Sequence, residues 1–123
     1  MNLTQSIHSV HIGGHAHVQA GDILFCEGDR NYSRVHFRSR RPLTVSTHLG
    51  LLEARLATRG FVRVSRSALV NKECILDYDN FEITLTNGLV LPIARRRRVR
   101  VRRWLVAQNF SYVHPTNFKS ISS

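Results

Sequence analysis

Long apolar runs are missing from this chain: no stretch approaches the roughly 18 consecutive apolar residues that a membrane-crossing helix needs. The first residues, Met1-Asn2-Leu3-Thr4-Gln5-Ser6, lack both the basic start and the apolar centre of a secretory leader, so a cytoplasmic protein is expected. Cysteine is scarce. Cys26 and Cys74 have no metal-ligand spacing and fall in different predicted strands, which makes them reduced structural thiols rather than a disulfide framework. Carboxylates are few, 8 against 18 Lys plus Arg, and lysine itself is nearly absent, since 16 of those 18 cations are arginine. The net charge of +10 selects polyanionic partners. Guanidinium forks bind phosphate bidentately and stack on bases, so the arginine excess leans toward nucleic acid.

What is present suits one globular domain. In 123 residues, 42% hydrophobic and 21% charged, there is room for one core but not two. The expected division is an N-terminal extension at 1–6, the domain at 7–108 and a flexible tail at 109–123, where Pro115, Asn117, Lys119 and several serines give no periodicity. Ile7 to Ile12 alternates loosely into Gly13-Gly14, with Ala16 to Gln19 as a return arm. His8, His11, His15 and His17 in this hairpin read as solvent-facing strand residues, because no cysteine or carboxylate nearby completes a metal set. Ile23-Leu24-Phe25-Cys26 is a short strand of the buried kind. Glu27 to Tyr32 is polar and rich in turn formers. From Ser33 to Arg40, Val35 and Phe37 alternate with Arg34, His36, Arg38 and Arg40, an outer cationic stripe that suits either solvent or phosphate. Leu43 to Ser46 returns as the partner strand.

Thr47 or His48 caps a predicted helix with Leu49, Leu52 and Leu56 on its buried side, ended by Gly60. Val62 and Val64 alternate with Arg63 and Ser65. The alternation then fails at Ser65-Arg66-Ser67, and Leu69-Val70-Asn71 reads as a short apolar turn. Ile75-Leu76 begins a strand that turns at Asp77 to Asn80. Phe81 to Thr86 alternates, Asn87-Gly88 is a strong hairpin signal, and Leu89 to Ile93 returns, with Pro92 at an edge or strand end. Asp77, Asp79 and Glu82 form the one acidic cluster, in a turn and on an outer face, which does not suit a catalytic metal. Residues 95–103 hold seven arginines. Two readings stand for them: helix, with Val101, Trp104 and Leu105 inward, or an Arg-Val-Arg-Val-Arg strand. No nucleophile, base and oxyanion donor assemble, so an enzyme is not expected, and neither a cofactor nor a small-molecule substrate is implied.

The block from Phe61 to Ile75 resembles the LytTR family of bacterial DNA-binding domains. Phe61, Arg63, Val64, Arg66, Ser67, Leu69, Val70, Asn71 and Ile75 fit its pattern, preceded by Leu49, Leu52, Glu53 and Leu56. Leu91, Pro92, Ile93 and Arg95 fit its closing segment. Ser65 departs from the usual histidine and Ala94 from the usual serine, so base preference at Ser65 does not carry over. The likeness covers roughly residues 7–106.

The resemblance implies a mainly β fold, an elongated arrangement of small antiparallel sheets with one short helix and a helical C-terminus. It also implies sequence-specific binding of double-stranded DNA by a transcriptional regulator whose loops enter successive major grooves. Expected base contacts are Asn31, Tyr32, Ser65, Arg66, Arg95 and Arg96. Expected phosphate contacts are Arg30, Arg34, Arg63, Ser67, Asn71, Arg97, Arg98 and Arg100. Repeated DNA sites and a weak homodimer are implied with them. Most members follow a receiver domain as response-regulator output domains. None is apparent here, so an excised output domain and a stand-alone regulator are both open, the starting Met favouring the second. The rival class is a non-specific RNA or polyanion binder, for which the arginine run suffices.

Overall fold

The computed structural model describes residues 9–108; the N-terminal extension, the strand start at Ile7-His8 and the C-terminal tail lie outside them. Three antiparallel sheets and two helices make up the domain, as the sequence reading expects of a mainly β fold. A hairpin of β1 (Ser9–Gly13) and β2 (Ala16–Gln19) comes first, with His11 opposite His17 and a shift of register between His11 and Gly13. The central sheet has five strands in the order β5-β4-β3-β7-β6, built from β3 (Ile23–Asp29), β4 (Tyr32–Phe37), β5 (Leu43–Val45), β6 (Phe61–Ser65) and β7 (Ala68–Asn71). Helix α1 (Leu49–Leu56) is inserted between β5 and β6. A three-stranded sheet of β8 (Ile75–Tyr78), β9 (Glu82–Leu85) and β10 (Val90–Pro92) follows, with β10 at an edge where Pro92 lacks no ladder bond it could have made. Helix α2 (Arg98–Ala107) closes the chain.

The central sheet is covered on both faces. Ile23, Val35, Phe37, Phe61 and Leu69 look into one core with Val10, Ile12 and Val18 of the hairpin and Leu49, Leu52 and Leu56 of α1. Leu24, Phe25, Val62, Val64 and Val70 look into the other, with Ile83 and Leu85 of β9 and Val101 and Leu105 of α2. Each fully buried leucine contributes about 1.5–3 kcal/mol relative to an exposed one. A strand buried on both faces needs no polar alternation, which is why Ile23 to Cys26 reads as a continuous apolar run.

The same fact corrects the expectation for residues 69–71. Leu69-Val70-Asn71 is not a turn but the body of β7, a central strand between β3 and β6 with all four residues buried. The turn is confined to Arg66 and Ser67. The open question over 95–103 resolves to helix: Val101 and Leu105, four apart, are both fully buried and stack on one side of α2. A 3₁₀ turn at Arg95–Arg97 leads into it.

Glycines at two positions answer to geometry. Gly60, with φ of 83°, ends the turn that follows α1, and Gly28 lies so close to Leu49 that a Cβ would stand 2.9 Å from the leucine Cβ. That close approach seats the start of α1 beside the β3–β4 tip.

Candidate nucleic-acid interface

Strand directions bring three polar loops to one end of the central sheet. β3 runs antiparallel to both β4 and β7, and β7 to β6, so the tips of the β3–β4 and β6–β7 hairpins are neighbours. Gly28 N donates to Ser67 O at 2.9 Å and joins them. Ala94 N donates to Val64 O at 2.8 Å and fastens the Arg95–Arg97 turn to the end of β6. Asn31, Tyr32, Arg66, Arg95 and Arg96 are all solvent-exposed along this end, and Arg30 and Ser67 are exposed beside them. A cleft of about 650 Å³ separates the first two tips, lined by Arg30, Asn31, Arg66 and Ser67 and by the less expected His48.

The β6–β7 tip is held from below. Arg63 Nε donates to Ser65 O at 2.8 Å, its Nη2 donates to Arg66 O at 2.6 Å, and its Nη1 donates to Glu53 Oε1 of α1 at 2.7 Å. With its side chain only 15% exposed, Arg63 commits all three of its nitrogens, two to the carbonyls of Ser65 and Arg66 and one to Glu53. The expectation that Arg63 clamps phosphate is therefore corrected: its donors point inward, and it positions Arg66. Ser65 Oγ accepts from Ser67 N at 3.2 Å and lies 3.4 Å from Ser67 Oγ, so Ser65 shapes the turn while half-buried.

Asn71 is also corrected. It is 3% exposed at the opposite end of β7, donates through Nδ2 to Ile23 O at 2.9 Å, and accepts at Oδ1 from Glu73 N at 3.0 Å. An amide so engaged is a strand-end fastener and cannot reach phosphate. Arg98 is half-buried with its guanidinium 4.7 Å over the Phe81 ring, a cation–π contact that turns it toward the three-stranded sheet. Its expected phosphate contact does not fit that placement. Arg34, on β4, and Arg100, on α2, are exposed, and Arg97 is half-buried in the 3₁₀ turn. Arg102 donates to Asn80 at 2.9 Å.

Two residues at this end of the sheet escape sequence reasoning. His48 is recognisable as a cap, but only the structure puts it in the cleft; its Nδ1 accepts from Leu51 N at 3.2 Å, which assigns the proton to Nε2 and leaves a donor for an anion. Glu53 falls in the family pattern, but its partnership with Arg63 has no signal in a spacing of ten residues.

Away from this end, several polar and charged groups are engaged within the fold. Asp79 Oδ1 accepts from Phe81 N at 2.7 Å and Glu82 N at 2.9 Å, closing the turn before β9. His11 and His17 face each other across the first hairpin with ring centroids 4.8 Å apart. Among the described residues no three His, Cys, Asp or Glu side chains stand together as a metal set. No helix among them is long and apolar enough to cross a membrane. Burial pushes the Cys26 thiol up to about 12, and burial likewise raises Cys74, so both remain thiols at neutral pH.

A stiff antiparallel framework, three linked loops at one end and arginine surplus around them define a β-sheet domain built to bind a polyanion. The chain belongs to the LytTr DNA-binding domain family, whose model matches residues 14–106, and it is thereby a DNA-binding domain. Its fold is similar to that of the LytTr DNA-binding domain of a Bacillus cereus protein described as a methyl-accepting/DNA response regulator. The two share 20% sequence identity with a TM-score of 0.64 over 79% of this chain and 94% of that one. Among curated proteins none matches.

Proposed function

We propose that this chain is a transcriptional regulator that recognises a specific sequence of double-stranded DNA, acting in the cytoplasm where that DNA lies. Its three loops read major-groove edges, and arginines around them hold phosphates. The observation that carries the reading is the hydrogen-bonded linkage of the β3–β4 tip, the Arg66 turn and the Arg95–Arg97 turn at one end of the sheet. Phosphate contacts position a protein and base contacts specify its site, so the two sets have different chemical requirements. Arg66, pinned through its own carbonyl, presents two parallel donors suited to guanine O6 and N7. Arg96 does the same from the third loop, Asn31 offers the amide pair that suits adenine, and Tyr32 and Arg95 flank them. Ser65 offers a short hydroxyl beside Arg66 where the family usually carries histidine.

Phosphates fall to Arg34, Ser67, Arg97 and Arg100, with His48 added from the cleft. Each such contact contributes about −0.9 to the slope of log affinity against log salt. Repeated sites and a weak homodimer accompany this reading by family likeness, because three loops along one end cover several successive groove segments. Electrophoretic mobility shifts with a duplex selected from a random-sequence pool, against a scrambled duplex of equal composition, test it at about 150 mM salt, near physiological strength. Strong preference for the selected duplex is expected. Loss of all discrimination would leave a general polyanion or RNA binder.

A further inference from the structure

The β3–β4 tip holds the one non-glycine residue with positive φ among the described residues: Arg30, at 60°. Asp29 and Tyr32 are direct cross-strand partners, so Arg30 and Asn31 alone make the turn. A two-residue hairpin turn with positive φ at its first central position favours glycine there, because a Cβ crowds the neighbouring carbonyl. Arginine is a poor local choice for that place. Nothing in the fold rewards it either, since no hydrogen bond or ion pair to another described residue holds its guanidinium, which is exposed.

Strain of this kind persists where the position of a side chain matters more than local stability. Phosphate binding does not require it. Arg34 and Arg100 stand exposed on relaxed strand and helix backbone, and a long flexible side chain reaches phosphate from many Cα positions. A base edge is more demanding, because both donors of the fork must lie in the plane of one base pair at the floor of a groove.

We propose that Arg30 is a specificity-determining residue that reads a base edge, a second guanidinium facing the same cleft as Arg66, and not a phosphate clamp. The inference rests on the groove-reading function above and adds to it. The β3–β4 hairpin recognises guanine through O6 and N7 at the position next to the one read by Asn31. Arg30 carries the fork and the strained backbone aims it.

The experiment uses the full chain and a duplex that wild-type protein selects from a random-sequence pool, compared with a scrambled duplex. Arg30→Gly is expected to melt at or above the wild-type temperature, because relief of the left-handed φ outweighs the added freedom of glycine in the unfolded chain. The same variant is expected to lose about tenfold or more in affinity for the selected duplex and far less for the scrambled one. Arg30→Lys, which keeps the charge without the fork, is expected to lose selected-duplex affinity to a similar degree. Equal losses on both duplexes, or full binding by Arg30→Lys, would overturn the proposal in favour of a point-charge contact. A lower melting temperature for Arg30→Gly would remove the strain on which it stands. If wild-type protein selects no sequence, the groove-reading function fails and this inference with it. If selection succeeds and Arg66→Ala abolishes it while the Arg30 variants keep it, the Arg30 assignment alone fails.

Discussion

Arg66 and Arg100 are both exposed arginines, yet the protein treats them differently. The carbonyl of Arg66 is gripped by Arg63, which is itself anchored to Glu53, and the turn is joined to the neighbouring hairpin through Ser67. Arg100 stands exposed on α2, where no hydrogen bond or ion pair to another described residue holds its guanidinium. A guanidinium on a braced turn loses little freedom when it meets a base edge. One on a solvated helix face can follow a phosphate but cannot impose a sequence. The difference teaches that cationic residues alone do not mark a reading site. On the proposed function, the bracing beneath them does.

That contrast can be broken most visibly at the turn. Arg66→Ala is expected to lower affinity for a selected duplex by about 10- to 100-fold, on the order of the 1–3 kcal/mol that a bidentate base contact carries, while scrambled-duplex binding changes little. Competition shifts at fixed salt measure both. Arg63→Lys keeps a cation but cannot make three directed bonds at once, so it is expected to loosen the turn and destabilise the domain by about 1–3 kcal/mol. Its selected-duplex affinity falls without any contact to DNA having been removed. Chemical denaturation with competition binding distinguishes this from Arg66→Ala, whose stability stays near wild type; equal stability for the two would remove the brace. Arg100→Ala is expected to lower both affinities together, only several-fold, and to reduce the salt slope by about one. A loss confined to the selected duplex would place Arg100 among the readers.

The smallest effect concerns the core. The Cys26 thiol is pushed up to about 12 from an ordinary 9.0, so the unfolded chain ionises first as pH rises. Its contribution to stability is fully present below about pH 9 and is lost progressively between there and about 12. Replacing it with alanine should flatten the alkaline fall in denaturation midpoint, and native protein should react slowly with thiol reagents at pH 8.

Much of the framework is legible from residues alone. The Ile23–Cys26 run, the leucines of α1, the Asn87-Gly88 hairpin and the strands on either side of it have local signatures that tertiary packing reinforces. β7 is not legible in this way. A strand sandwiched by two cores loses its period of two, and Ala68-Leu69-Val70-Asn71 then looks like an apolar turn. The site divides similarly. Exposed loop arginines announce themselves by type and position, whereas Arg63 and Asn71 carry the same kinds of donor but spend them inward. Burial and partner decide between those fates. Glu53 lies ten residues before Arg63 and Ile23 lies 48 before Asn71, and no spacing rule reaches so far.

The central claim is that braced loops, Arg66 foremost, touch base edges in the major groove. Methylation interference on the selected duplex tests it directly, because a methyl group at guanine N7 blocks the acceptor a guanidinium would use. Wild-type protein should be excluded by methylation at particular guanines, and the Arg66→Ala variant should become indifferent to at least one of them while still sensing the rest. An interference pattern unchanged by Arg66→Ala, or absent from wild-type protein altogether, would contradict the account.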